Sequence, residues 1–162
     1  MKKPDVISEF DYNGHVEVEW YDILDKDDIP SFDWQQVYII GNINNKVPLV
    51  MYENDKDNLP GGRTEPGESI EDTMRREIQE ELNMNVIFWR PLGYQKCIRP
   101  DDDNVEYQFR AYALLEKIGE FINDPGGSVI GYELIEINQL NNHIRYGVVG
   151  ERLISNSRRY FY

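Results

Sequence analysis

Apolar residues recur along this chain at two periods, and the switch between them marks out its elements. Near the N-terminus Val16, Val18 and Trp20 alternate with Glu17 and Glu19. They follow Asn13-Gly14, a dipeptide suited to tight hairpin turns because both residues tolerate positive φ. A β-hairpin is therefore predicted within residues 1–30, followed by the acidic loop "DILDKDDIPSFD". Trp34–Ile43 and Lys46–Tyr52 read as strands joined at Asn44-Asn45, with Pro48 marking an edge or a bulge. Over Ser69–Leu82 the period becomes helical. Ile70, Met74, Ile78 and Leu82 drift along one side, and Asp72, Arg75, Arg76 and Gln79 fall on the opposite, solvent-like side. Ser69 can cap this helix, with Asp72 three residues on. Strands are predicted at Val86–Trp89 and Tyr94–Ile98, interrupted at Pro91. Val105–Leu115 alternates cleanly: Val105, Tyr107, Phe109, Ala111 and Ala113 face one way, Glu106, Gln108, Arg110 and Tyr112 the other. A strand at Tyr132–Ile137 and a helix at about Val148–Arg158 complete the chain. Strands on both sides of one central helix, with a second helix at the end, predict an α/β architecture with a mixed sheet between helices.

Composition narrows the function classes. The 162 residues, 40% of them hydrophobic, suit one domain with a sizeable core. A net charge of −13 repels duplex nucleic acid, although bound cations would let such a surface act on phosphates. The single cysteine, Cys97, precludes an internal disulfide and fits a reducing, cytoplasmic setting. No apolar run approaches the roughly 20 residues of a membrane span, and "MKKPDVISEF" lacks the apolar core of a secretory signal. His15 and His143 lie far apart and show no zinc spacing.

The chemistry concentrates in "GGRTEPGESIEDTMRREIQEELNM", residues 61–84, which holds seven acidic side chains. Glu77 and Glu81 are one helical turn apart at the edge of the apolar stripe, with Glu80 beside them. Like charges at this spacing destabilise a bare helix, and partial burial raises the cost unless a cation is present. An oxygen-only donor set points to a hard cation, Mg²⁺ or Mn²⁺. A merely solvated glutamate face is the plain alternative, against which stand the preceding Gly-Gly loop and the burial-side placement. An EF-hand is excluded, because Asp101–Asp103 run into Asn104 and Val105 without alternating ligands and glycine.

Gly62, Glu68, Arg76, Glu77, Ile78, Glu80, Glu81 and Met84 stand at the spacing of the signature box of the Nudix hydrolases, which this stretch resembles. At average composition a chance match to the six polar or glycine positions is on the order of one in 10⁵. The resemblance implies a Nudix-type α/β/α sandwich over residues 31–162, with the hairpin of residues 1–30 as an extension. It implies divalent-metal-dependent hydrolysis of a pyrophosphate bond in a nucleoside diphosphate linked to another group: ADP-ribose, a nucleotide sugar or a nucleoside triphosphate-like molecule. Glu77, Glu80 and Glu81 would be the metal ligands, joined by the Gly61 carbonyl, and Glu68 and Arg76 would pair to hold the Gly-Gly loop. The resemblance leaves open which glutamate serves as general base. A non-catalytic nucleotide-sensing domain is the alternative, and such domains usually lose box carboxylates that are all present here.

Asp124, Glu120 and Glu133 are candidates for a further carboxylate, as are Asp101–Asp103 and Glu106. Arg110, with Arg99, is a candidate for contact with substrate phosphate or base, since a polar row on a buried strand needs partners. A sheet face only partly covered by helix explains that row equally well. The resemblance makes Pro100, about sixteen residues after the box, a hint of ADP-ribose cleavage, and a turn-forming role explains it equally well. Trp20 and Trp34 are expected in the core, with stacking on a nucleotide base as the alternative. Asn83 stands where the family usually has glycine and is expected to adopt a left-handed conformation. The hairpin edge suggests a homodimer.

Overall fold

A computed structural model describes all residues, Met1–Tyr162. Its middle layer is built from strands that alternate between two apolar cores. The larger sheet runs β1 (Val6–Asp11), β2 (His15–Asp22), β7 (Met84–Arg99), β8 (Asn104–Lys117), β3 (Gln36–Asn42), β6 (Gly61–Arg63) in spatial order. It is mixed: β3 and β8 are parallel, and every other pair is antiparallel. A second sheet has the order β5 (Asp57–Asn58), β4 (Val47–Tyr52), β9 (Val129–Ile135).

One core joins Met74, Ile78 and Leu82 of helix α1 (Ile70–Leu82) to Val37, Ile39, Phe109, Ala111 and Ala113. The other joins α2 (Leu140–Ile144) and α3 (Gly147–Ser157) to Val18, Trp20, Ile40 and Tyr112. Strand alternation thus feeds both cores, and the layers stack α1, sheets, α2–α3. No helix is long and apolar enough to cross a membrane.

Several sequence expectations change in detail. Pro91 does not interrupt a strand: β7 runs through it for 16 residues, and register shifts at Val86/Phe88 and Pro91/Gly93 absorb the irregularity. Such a bulge tolerates the missing N–H of proline. The Asn44-Asn45 turn forms with both residues at positive φ, 49° and 66°, but its strands diverge into different sheets after the Ile43–Lys46 bridge. Pro48 lies where β4 is paired on one side only. The last strand is shifted to Val129–Ile135. The short β5, β6 and α2 escaped the sequence reading, because two to five residues carry no usable period. Trp20 is fully buried, whereas Trp34 is half-buried among Phe32, Tyr94, Tyr107 and Phe109.

The N-terminal hairpin turns at Asn13-Gly14 and pairs through β2 with β7, so β1 forms the outer edge of the sheet. Gly93 permits that pairing. Its φ is +157°, and an added Cβ would lie 2.4 Å from the Trp20 ring and 2.4 Å from the Tyr21 carbonyl. Gly93→Ala is expected to destabilise the fold by about 2 kcal/mol or more. In a thermal melt this corresponds to a fall in Tm of roughly 4–8 °C; an unchanged Tm would show that the hairpin does not dock against β7 in this way.

Candidate active site

The helix that carries the glutamates begins with a reciprocal cap. Ser69 Oγ accepts from the Asp72 amide at 3.1 Å, and the Asp72 carboxylate accepts from the Ser69 amide at 3.0 Å. It ends at Asn83, whose φ of 53° and ψ of 50° place it in the left-handed region. The short side chain there donates to the Glu120 carbonyl at 2.9 Å.

Arg76 is not on a solvent face. Its side chain is only 21% exposed and folds back over the preceding loop. Nε and Nη2 donate to the two oxygens of Glu68 at 2.8 and 2.9 Å. Nη1 donates to Glu77 at 2.8 Å, and Nη2 also reaches the Arg63 carbonyl at 2.9 Å. One guanidinium thus ties loop, strand β6 and helix together, a planar geometry that lysine could not reproduce. Glu68 also accepts from the Glu65 amide and from Thr73. Held first by Arg76, its carboxyl is lowered to about 2.

Glu81 lies deeper. It is 3% exposed and accepts from the Gly61 amide at 2.8 Å. Burial above all, together with Glu77 and Asp124, raises its carboxyl to about 9, although the Gly61 N–H favours the charged form. Glu80 is raised by burial and by Glu77, Asp124 and Glu65, against the opposing charge of Arg76 at 3.5 Å. The glycines make this crowding possible. A Cβ on Gly62 would stand 2.5 Å from a Glu77 oxygen, and one on Gly61 would meet the Val37 carbonyl at 2.1 Å.

Among the further carboxylates, Asp124 is the one whose charge acts on Glu80 and Glu81. It accepts from the Val129 amide at 3.4 Å. Glu120 is drawn away to Lys117, and Glu133 pairs with His143. Asp102 accepts from the Asn104 amide inside the turn, while Glu106 faces Arg63 at 3.6 Å. Pro100 is an exposed turn residue.

The polar row of β8 opens into a cavity of about 500 Å³ on the α2–α3 side of the sheet. Arg99 and Arg110 both line it, as do Arg63 and Arg145, which the sequence reading missed. Arg110 is 2% exposed, bonds to Gln108 at 3.2 Å, and sits 4.8 Å from the Tyr38 ring centroid and 5.9 Å from that of Tyr146. Its Nε has no partner. Arg99 instead donates to the Tyr12 carbonyl at 2.9 Å. Tyr38 connects cavity and box: it pairs with Gly61 across β3–β6, and the charges of Arg110, Glu81 and Glu77 all act on its phenol, which burial pushes up. Arg145 and Tyr146 carried no sequence signal, because they follow a five-residue helix. Arg63, directly after the Gly-Gly pair, could have been found from that position.

The oxygen-only donor set, the crowded and desolvated carboxylates and the glycine cradle fit a hard divalent cation. The chain's similarities to known proteins concern its family and its fold. A family model for the NUDIX domain matches residues 35–154. The fold is similar to that of the Bacillus subtilis pyrophosphohydrolase BsRppH, with a TM-score of 0.74 at 22% identity, covering 94% of this chain and 97% of that one. It is also similar to a NUDIX hydrolase from Nitrosomonas europaea (TM-score 0.62, 18% identity, 80% and 91% covered). A third similar fold is the MutT NUDIX hydrolase from Burkholderia pseudomallei (TM-score 0.58, 15% identity, 75% and 95% covered). Among curated proteins none matches this chain. With the family match spanning most of its length and the box residues gathered around one loop and helix, the chain belongs to the NUDIX family.

Proposed function

We propose that this chain hydrolyses a pyrophosphate bond in a nucleoside diphosphate derivative. The observation that carries the reading is Glu81, a buried carboxylate crowded against Glu77 and anchored by the Gly61 amide. Glu77, Glu80, Glu81 and the Gly61 carbonyl would hold Mg²⁺ or Mn²⁺. A cation there would supply charge neutralisation for the diphosphate and would acidify the attacking water. Arg76 and Glu68 keep the loop and Glu77 in place, so the donor set is ordered before substrate arrives. Glu80, whose contact with Arg76 is 3.5 Å, is the least committed of the three glutamates and accepts the proton of the water. Asp124 adds negative charge on the same side.

The cavity takes the rest of the substrate. Its four arginines offer planar donors to phosphate oxygens, while Tyr38 and Tyr146 offer aromatic faces. That BsRppH is itself a pyrophosphohydrolase supports the same bond type here.

Turnover of ADP-ribose, a nucleotide sugar and nucleoside triphosphates with Mg²⁺ or Mn²⁺, read by product chromatography, tests the reading. Glu80→Gln is expected to lower kcat a hundredfold or more; equal turnover by this variant would sink the assignment of Glu80. Arg110→Ala is expected to lower kcat/KM on the best substrate about tenfold or more, the loss of one charged hydrogen bond. An unchanged kcat/KM in a folded variant would remove the cavity from the substrate path.

A further inference from the structure

Three side chains that the hydrolytic reading leaves unused meet about the small sheet. Asp57 comes from β5, Glu133 from β9 and His143 from α2, and their ligand atoms all lie within 4.8 Å of one another. Pairing explains the convergence. Asp57 lies opposite Met51, and Glu133 opposite Leu49, so both project from the same face of β4, the face that Leu49 turns toward α2. His143 Nδ1 is 2.6 Å from Asp57 and 3.5 Å from Glu133.

Two carboxylates here share one imidazole, and neither has a lysine or arginine within ion-pair distance. The carboxylates also touch each other, and Glu133 is raised by burial and by contact with Asp57. The three are partly shielded rather than sealed, with side-chain exposures of 19%, 41% and 30% for Asp57, Glu133 and His143. We propose that Asp57, Glu133 and His143 form a second divalent-metal site, distinct from the glutamates of α1, selective for a transition ion such as Zn²⁺.

The donor set supports that selectivity. One imidazole nitrogen and two carboxylates suit zinc, while magnesium prefers oxygen alone. Zinc bonds of about 2.0–2.2 Å separate tetrahedral ligands by about 3.3–3.5 Å. The His143–Glu133 spacing already has that value, and the His143–Asp57 pair need open by less than about 1 Å. Another trio, Glu9, His15 and Glu17, lies on the two strands of a single hairpin at the outer edge of the sheet, away from the cavity wall formed by α2 and β5.

The position gives the site a consequence. Asn58, next to Asp57, accepts from the Tyr146 hydroxyl at 2.8 Å, and Arg145 and Tyr146 follow directly after the helix that bears His143. Both line the cavity. A cation that clamps β5, β9 and α2 therefore fixes one wall of the cavity.

Zinc uptake by the full chain tests the site, measured by calorimetry with millimolar Mg²⁺ present to occupy the oxygen-only glutamates. The unmodified protein is expected to take up one more equivalent of Zn²⁺ than His143→Ala or Glu133→Gln, each of which should bind it at least tenfold more weakly. A crystal grown with zinc should give an anomalous peak at bonding distance from His143 Nδ1. Equal uptake by all three proteins, an absence of uptake at micromolar Zn²⁺, or a peak confined to Glu77, Glu80 and Glu81 would overturn the proposal. Glu133→Gln conserves shape on a part-exposed strand, so its result stands even if His143→Ala fails to fold. Hydrolysis without zinc does not depend on this cluster, so failure here leaves the reading of the α1 glutamates untouched.

Discussion

A carboxylate placed where water is almost absent is the constraint around which this molecule is arranged. Glu81 is on the apolar stripe of α1, where a leucine or methionine would pack without conflict. A buried ionised carboxylate is costly unless something opposes its charge. The Gly61 N–H opposes it in part, and Glu77 aggravates it. The fold tolerates the conflict because the surrounding cores are large and independent of it: Met74, Ile78 and Leu82 bury the rest of the same helix face.

The rest of the site follows from holding that carboxylate and its neighbours still. The Gly-Gly loop runs between β3 and α1, close enough for the Gly61 amide to reach Glu81; a Cβ at position 61 would strike Val37 and Tyr38 of β3, and one at position 62 would strike the Glu77 carboxylate. Arg76 then fixes the loop from the far side, through Glu68 and the Arg63 carbonyl, and restrains Glu77 with its remaining nitrogen. Because β6 is paired with β3, the same restraint sets Tyr38, and through it the edge of the arginine-lined cavity. Loop, metal-fitting carboxylates and cavity are one mechanically continuous unit.

The sequence made part of this legible and not the rest, for physical reasons. Local patterns were readable: the alternation of β8, the capped helix, the Asn-Gly turn and the left-handed Asn83 each depend on neighbouring residues. The box spacing was readable because its residues lie on one loop and one helix. Arg76 was misplaced on the solvent side, since a helical wheel does not show a loop folding back over it. Arg145 and Tyr146 were invisible because only tertiary packing brings them to β8. The pairing of His143 with Asp57 and Glu133 was missed for the same reason: the three lie on β5, β9 and α2, far apart in the sequence.

A pH titration of the Glu81 side-chain carboxyl by carbon-detected NMR tests this account most directly. Without divalent metal the signal should titrate far above the ordinary glutamate value of about 4.3, with a midpoint raised to about 9. Saturating Mg²⁺ should bring that midpoint down by several units, because the cation stabilises the charged form. A metal-free midpoint in the ordinary carboxylate range, unmoved by Mg²⁺, would contradict the claim that Glu81 is held in an unrelieved conflict that a cation resolves.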